Sequence, residues 1–334
     1  MTEQTQETAP KPPNEQFFAR ISGGLTLALV FLAASSFTWV YLSEVPAQTA
    51  AAAEALVSAP APASLSDPDA FDGISLFGSS AIVVDMTESR TLFARSPDTQ
   101  LPLASLSKVA LALVVEDALD TETIVTIPFD TGYNSHAEGG LSEGQRWRLQ
   151  DVIDFTLAVS SNSGANILAQ IAAPAIQQKY PLAPKDGATI WRMNDLAHSL
   201  GLEHTYFLNS NGLDVSATQS GAYGSARDVA TLFAYAASTT PEAFSATRLR
   251  QFTLHSVDGV TTKAVNTDEA LPDLPDIVLG KTGFTQLAGG NLAVVFEHDG
   301  HLISIVVLGS TYDGRFDDMK KLVSATQKAL GHSD

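Results

Sequence analysis

Cysteine is absent from this 334-residue chain, and basic residues are scarce. The lack of cysteine excludes disulfides and thiolate catalysis, and it suits a protein that folds outside the cytoplasm without oxidative help. Lysine and arginine number 19 against 37 aspartates and glutamates, which gives a formal net charge of −18. Because proteins that bind nucleic acids are usually basic, we expect no nucleic-acid partner.

Two common hydrolase motifs are also missing. The seven histidines include no H-E-x-x-H pair that could hold a catalytic zinc ion, and no G-x-S-x-G elbow occurs. We therefore expect no metal, no cofactor and no Ser-His-Asp triad. Hydrophobic residues make up 45% of the chain, which is enough for one large domain or two small ones.

The N-terminal part of the chain predicts a membrane anchor. Residues 1–20 are polar and rich in proline, typical of a disordered tail, and residues 21–42 contain no charge. As a helix this second segment measures about 33 Å, enough to span a bilayer. Lys11 and Arg20 precede it and no basic residue follows until Arg90, so we expect a cytoplasmic N-terminus and an extracytoplasmic remainder.

The alternative for this segment is a cleaved signal peptide, with a small-residue site at residues 45–47, although its apolar region is long for that. Either reading predicts export, to the periplasm or the cell-wall side of the membrane. Residues 43–70 are rich in alanine and proline and predict an extended linker. Residues 71–334 are the predicted catalytic domain.

Within that domain, strand patterns lie at both ends and helix patterns in the middle. Residues 81–85, 91–94, 291–297 and 302–308 predict strands, and residues 316–330 predict a closing amphipathic helix. Strands at both ends of a domain usually pair in one sheet. We therefore expect an α+β fold in which helices flank an antiparallel sheet and a mainly helical subdomain lies between its two halves.

The stretch LPLASLSKVALAL, residues 101–113, places Ser105 three residues before Lys108 where a helix is predicted to begin. Positions i and i+3 share a helix face, so the hydroxyl and the amine can touch. A serine becomes a good nucleophile when a neighbouring base takes its proton. Lysine is such a base only when neutral, which burial and a helix N-terminus both favour. An S-x-x-K also arises by chance, so this motif alone identifies no enzyme.

Two further motifs follow in order. An S-S-N connection begins at Ser160, between predicted apolar helices at residues 149–159 and 164–176, and K-T-G begins at Lys281, at the end of a predicted strand. Each of S-x-x-K, S-x-N and K-T-G occurs once in the chain. In this order they are the motif set of β-lactamases and penicillin-binding proteins.

With these motifs the chain resembles the D-alanyl-D-alanine carboxypeptidases, the low-molecular-mass penicillin-binding proteins of the serine D,D-peptidase type. The resemblance covers roughly residues 80–330 and includes GLSEGQRWRLQDVIDFTLAVSSNSGAN and LGKTGFTQLAGG. It implies a β-lactamase-like fold. It also implies removal of the terminal D-alanine from peptidoglycan stem peptides through an acyl-enzyme, with β-lactam antibiotics as covalent inhibitors.

The resemblance implies a role for each matched position. Ser105 is expected to attack the carbonyl between two D-alanines, and Lys108 is expected to accept its proton. Ser160 is expected to pass protons towards the leaving amine, and Asn162 to hydrogen-bond the substrate. The backbone N–H groups of Ser105 and Phe284 are expected to form the oxyanion hole.

The third motif is expected to recognise the substrate's terminal carboxylate. Lys281 would supply positive charge and Thr282 a hydroxyl. Gly283 would let the substrate backbone lie close to the strand. Arg315, at the start of the last helix, would be a second carboxylate contact.

The chain departs from the family's pattern at two places. Ser163 follows the S-x-N where the family often has aspartate, and Gln286 and Leu287 stand where it often has a charged residue. Substrate detail therefore stays open, and a D,D-endopeptidase, a β-lactamase and a non-catalytic penicillin- or wall-binding module remain as alternatives. Against a β-lactamase, no glutamate between the second and third motifs begins the E-x-x-L-N of class A enzymes.

Overall fold

The computed structural model describes residues 65–129 and 140–331. The predicted tail, the predicted transmembrane helix at residues 21–42 and most of the predicted linker lie outside these residues. Within the described ranges, no helix combines the length and the apolar character needed to cross a bilayer.

Twelve strands, six α-helices and three 3-10 helices account for the regular structure of the described residues. The strands are β1 (Ser80–Asp85), β2 (Arg90–Arg95), β3 (Leu101–Pro102), β4 (Ile124–Thr126), β5 (Arg146–Arg148), β6 (Tyr206–Phe207), β7 (Ala222–Gly224), β8 (Gln251–His255), β9 (Thr261–Val265), β10 (Ile277–Thr285), β11 (Gly289–His298) and β12 (His301–Ser310). The helices are α1 (Ser107–Ala118), α2 (Leu149–Ala158), α3 (Asn162–Lys179), α4 (Ala188–Ser199), α5 (Ala226–Thr239) and α6 (Gly314–Leu330).

The central sheet joins both ends of the domain. Its strand order is β10-β11-β12-β1-β2, and every neighbouring pair is antiparallel. The predicted pairing of the early strands with the late ones is therefore confirmed. Asp299 and Gly300, which connect β11 to β12, both have positive φ angles, of 49° and 80°, as a tight hairpin turn requires.

Alternating side chains of the sheet enter two different cores. Val83 and Ile305 face the core formed with helix α6, where Met319 and Leu322 are also buried. Ile82 and Val306, one position along each strand, join the larger core of the helical subdomain. The sheet is thus covered on both faces, as expected for the predicted α+β fold.

Helix α1 passes through the larger core. All its residues from Ser107 to Val115 are buried, and it packs against α3, α4 and α5. A helix that is apolar on every side is stable only inside a protein. Helix α1 is therefore the fixed support on which the S-x-x-K motif lies.

The structure refines the predicted helix boundaries around the motifs. A single 3-10 turn, Ala104–Leu106, precedes α1, so Ser105 lies just before the α-helix and not in its first turn. Helix α3 begins at Asn162, two residues earlier than predicted. The strand that carries K-T-G continues through the motif to Thr285.

Candidate active site

The nucleophile turn brings Ser105 against the first turn of α1. Ala104 has a φ of 50°, a conformation that costs a non-glycine residue energy and is found most often at functional sites. The next residue, Ser105, is 9% exposed. Lys108 Nζ donates a hydrogen bond of 2.7 Å to Ser105 Oγ. The contact predicted from the i, i+3 spacing is therefore present.

Lys108 is completely buried, and its amine has three hydrogen-bond acceptors. Besides Ser105 Oγ, Nζ donates to Asn162 Oδ1 at 2.9 Å and to the main-chain oxygen of Asn211 at 2.6 Å. These three acceptors fix the position of Nζ next to Ser105. The short contact with Ser105 allows a proton to pass between hydroxyl and amine.

The second motif lies in the tight connection between α2 and α3. Ser160 has a φ of 60°, and Ser161 caps α3 by accepting a hydrogen bond of 2.9 Å from the N–H of Gly164. A Cβ at Gly164 would lie 2.2 Å from Thr156 Oγ1, so only glycine allows the two helices this approach. The connection thereby places Asn162 beside Lys108.

The third motif faces the second across the site. Lys281 Nζ donates to Ser160 Oγ at 2.8 Å and to the main-chain oxygen of Thr282 at 2.9 Å, and the side chain is 2% exposed. The Thr282 hydroxyl lies 2.6 Å from the hydroxyl of Thr267. All three motifs therefore meet through side-chain hydrogen bonds.

Positive charge accumulates around Lys281. Burial holds the pKa of Lys281 well below its ordinary value, and the positive charges of Lys108 and Arg315 lower it further. The carboxylate of Asp268 acts in the opposite direction. An incoming anion would relieve this repulsion between cations, as expected at a carboxylate-binding site.

Gly283 lets the edge of β10 contact the nucleophile turn. A Cβ at this position would lie 2.9 Å from the main-chain oxygen of Leu103 and 3.2 Å from the backbone nitrogen of Ser105. A side chain would force the two segments apart. Glycine therefore lets the strand approach the backbone of Ser105 at the residue just before Phe284. Ser105 and Phe284 are the two predicted donors of the oxyanion hole.

Arg315 is buried in the first turn of α6, with 2% of its surface exposed. Its Nη1 donates a hydrogen bond of 3.1 Å to the main-chain oxygen of Gly283. The guanidinium carbon lies 4.4 Å from the ring centroid of Tyr312 and 4.6 Å from that of Phe316. The predicted carboxylate contact is thus adjacent to the K-T-G strand, and in this structure its partner is the strand itself.

The turn at residues 209–212 belongs to the site, although its sequence predicts only a turn. Asn211 supplies the carbonyl that accepts from Lys108. Gly212 has a φ of 79°, and a Cβ there would lie 2.0 Å from the main-chain oxygen of Ala104. The N-S-N-G sequence is a signal for a turn of this kind, but nothing in it indicates the contact with Lys108.

Asp214 connects the same segment to the end of the K-T-G strand. Its carboxylate accepts hydrogen bonds from Thr285 Oγ1 at 2.9 Å and from the N–H of Leu287 at 3.2 Å. These bonds hold the two loops that flank the motifs in one arrangement. Over the described ranges, no three histidine, aspartate or glutamate side chains converge as metal ligands.

Comparison with known proteins agrees with this geometry. A D-alanyl-D-alanine carboxypeptidase family model matches residues 72–311. A D-alanyl-D-alanine carboxypeptidase of Mycobacterium tuberculosis, DacB2, is 32% identical over 208 residues, which cover 62% of this chain and 66% of that protein. Its Escherichia coli K12 counterpart DacA is 28% identical over 258 residues, covering 73% and 59%. The chain thus spans less than two thirds of the length of these relatives.

A D-alanyl-D-alanine endopeptidase of Pseudomonas aeruginosa is also similar, 29% identical over 245 residues that cover 70% of this chain and 71% of that protein. Among solved structures, penicillin-binding protein D2 of Listeria monocytogenes in its ampicillin-bound form superposes with a TM-score of 0.62 at 25% identity. That match covers 76% of this chain and 98% of the other. Because the family model spans more than half of its residues, the chain belongs to the D-alanyl-D-alanine carboxypeptidase family.

Proposed function

We propose that the chain is a serine D-alanyl-D-alanine carboxypeptidase that removes the terminal D-alanine from peptidoglycan stem peptides. The observation that supports this most strongly is the 2.7 Å hydrogen bond from Lys108 to Ser105. It joins a candidate nucleophile to a candidate base at the point where the K-T-G strand meets the helical subdomain.

Acylation would begin at Ser105. Its Oγ attacks the carbonyl carbon of the penultimate D-alanine while Lys108 accepts the hydroxyl proton. The negative charge that forms on the carbonyl oxygen is stabilised by the backbone N–H groups of Ser105 and Phe284. The C–N bond then breaks, the peptidyl group stays on Ser105 as an ester, and D-alanine leaves as an amine.

The leaving nitrogen needs a proton, which Ser160 would deliver while its Oγ takes up a proton from Lys281, its hydrogen-bond donor at 2.8 Å. This hydrogen bond leaves the Ser160 O–H available to donate. Asn162 holds Lys108 from the opposite side. Water then attacks the ester carbon and gives up a proton through Ser160 to Lys281. Lys108 returns its proton to Ser105 Oγ as the Ser105 O–C bond breaks, and the shortened peptide departs as a carboxylate.

Carboxylate recognition would fall to the K-T-G strand and its neighbours. Lys281 and Arg315 supply positive charge, and Thr282 supplies a hydroxyl. Both cations are almost fully buried, where attraction to a carboxylate is stronger than in water. This requirement for a free terminal carboxylate is the feature that defines a carboxypeptidase.

The test is turnover of a peptide that ends in D-Ala-D-Ala by the purified domain. We expect release of free D-alanine, inhibition by penicillin, and loss of both activities in Ser105→Ala. A matched peptide with an amidated C-terminus should be a poor substrate. Rapid repeated hydrolysis of a chromogenic cephalosporin, without release of D-alanine from the peptide, would instead assign a β-lactamase.

A D,D-endopeptidase is the second candidate, because endopeptidases are among the similar proteins. The same residues would cleave a cross-link between two stem peptides. In such a cross-link, the residue that carries the free carboxylate belongs to the second stem peptide. Cross-linked and linear peptidoglycan fragments, assayed side by side, separate the two activities. Faster cleavage of the cross-linked fragment would favour the endopeptidase.

We further propose that residues 21–42 anchor the domain to the outer face of the cytoplasmic membrane. The support is sequence alone, namely an uncharged run of this length with Lys11 and Arg20 on one side. Protease added to spheroplasts should release an active fragment close to the size of residues 71–334. Full protection of the chain would contradict this orientation.

A further inference from the structure

Asp268 is a buried carboxylate that none of the three motifs contains. It is 3% exposed, and its Oδ1 accepts a hydrogen bond of 2.9 Å from the N–H of Ala270. Its Oδ2 is shielded from solvent and has no hydrogen-bond partner. Buried carboxylate oxygens are almost always paired because leaving one unpaired is costly, so this atom calls for an explanation.

The loop that carries Asp268 is fixed to the active site on two sides. The N–H of Thr267, the preceding residue, donates to the main-chain oxygen of Ala158 at 3.0 Å, beside the S-x-N motif. The hydroxyl of Thr267 lies 2.6 Å from that of Thr282 in the K-T-G motif. A Cβ at Gly280 would lie 3.8 Å from Asp268 Oδ2. The unpaired oxygen therefore lies against β10, one residue before Lys281.

The negative charge of Asp268 acts on two cations of the proposed carboxylate site. Asp268 attracts Lys281, on β10, and Arg315, on α6. Asp268 forms no hydrogen bond with Lys281 or Arg315, so it occupies none of the N–H groups of these two cations. Burial raises the pKa of Asp268 to about 6, against the pull of both cations, and exposed Glu269 raises it further.

We propose that Asp268 is a positioning residue for carboxylate recognition, whose negative charge favours the protonated form of Lys281 and offsets the repulsion between Lys281 and Arg315 in the buried site. The inference rests on the proposed function. Lys281 is almost fully buried, and this burial together with the positive charge of Arg315 favours loss of a proton from Lys281. A fixed anion behind the strand offsets that repulsion while leaving the cations to bind the substrate.

The test compares Asp268→Asn with Glu269→Gln. The first variant keeps the shape and the oxygen that accepts from Ala270, and the second removes the same charge from the exposed neighbouring residue. Turnover of a peptide ending in D-Ala-D-Ala is followed across pH. In Asp268→Asn the alkaline limb of kcat/KM should move to lower pH, since Lys281 loses its proton earlier. At alkaline pH the KM should rise on the order of tenfold, with little change in kcat.

Glu269→Gln should move the profile far less than Asp268→Asn does, because solvent screens an exposed charge. Superimposable profiles for wild type and Asp268→Asn would overturn the inference. A penicillin ester lacks the free carboxylate. If Asp268→Asn lost as much reactivity toward this ester as toward the peptide, the inference would be overturned too. A wild-type chain that neither turns over the peptide nor is acylated by penicillin would contradict the proposed function itself.

A second measurement does not depend on the folding of Asp268→Asn. Coupling between two charges is reciprocal, so removing the cation in Lys281→Met should raise the pH at which the Asp268 carboxyl titrates. Carbon-13 NMR of labelled aspartate would follow this carboxyl in wild type and variant. An unchanged titration of Asp268 in Lys281→Met would overturn the proposed coupling.

Discussion

Helix α1 carries Lys108 in its first turn and Glu116 near its last turn. A cation at a helix N-terminus and an anion at a C-terminus both oppose the helix dipole, so both positions favour the neutral side chain. Their surroundings differ. Lys108 has three hydrogen-bond acceptors, whereas both carboxylate oxygens of Glu116 are shielded from solvent and lack a hydrogen-bond partner.

The carboxylate of Glu116 is therefore buried without hydrogen bonds that would offset the cost of removing it from water. Burial raises the pKa of Glu116 to about 7, and the negative charge of Asp154 adds to it. Burial likewise raises the pKa of Asp154 to about 6. Glu116 also borders a cavity of about 480 Å³ next to Gln150 and Thr240. Desolvation alone therefore does not make a reactive site, and the groups that surround a buried side chain decide what it can do.

The largest expected difference between the two ends is kinetic. Lys108→Ala should remain folded but be acylated by penicillin roughly 10²–10⁴-fold more slowly, because positioned proton transfer contributes that much. Glu116→Ala, at the other end of the same helix, should be acylated at the wild-type rate. Stopped-flow acylation with circular dichroism as the folding control measures both. Equal slowing of the two variants would show that damage to α1, and not loss of the base, is responsible.

A smaller effect is expected from the turn that supports Lys108. Gly212→Ala introduces a Cβ 2.0 Å from the Ala104 carbonyl oxygen, at a φ of 79°, and should displace Asn211 from Lys108. Gly201→Ala is the matched control, because Gly201 has a φ of 69° with open space around it. Each should lose about 1–3 kcal/mol of stability from backbone strain. Only Gly212→Ala should also slow acylation, and normal acylation in that variant would remove the turn from the site.

The smallest expected effect is on stability at the Glu116 end. A carboxyl whose pKa is raised on folding binds its proton more tightly in the folded state, so stability falls as pH rises from the unfolded pKa to about 7. Glu116→Gln should flatten this decline and raise the melting temperature at neutral pH. Partial solvent access limits the gain to the order of 1 kcal/mol. Glu242→Gln, an exposed carboxylate on the same cavity, should leave the decline unchanged, and an identical slope in both variants would contradict this assignment.

The parts of the site that were predictable from sequence are those that local spacing determines. The i, i+3 relation between Ser105 and Lys108 is a property of any helical turn, and short apolar runs predicted the strands that close the sheet. Strands β8 and β9 are absent from the predicted elements, although Asp258-Gly259 between them is a strong hairpin signal.

The remaining parts depend on contacts between distant segments. The third acceptor of Lys108 is a main-chain oxygen at Asn211, and a backbone atom has no signature in the sequence. The burial of Arg315 follows from the packing of α6 on the sheet, and the environment of Asp268 follows from the course of the loop before β10. Such long-range placements require the three-dimensional structure, because no periodicity connects the segments involved.

The most direct test of the account is the intact mass of the purified domain after incubation with benzylpenicillin. We predict that the wild type gains the mass of one penicilloyl group, located by peptide mapping on Ser105 and retained for minutes or longer. Ser105→Ala should gain nothing, although it folds. An unlabelled wild type, or a Ser105→Ala variant that is labelled as efficiently as the wild type, would contradict the claim that Ser105 and Lys108 form the reactive centre.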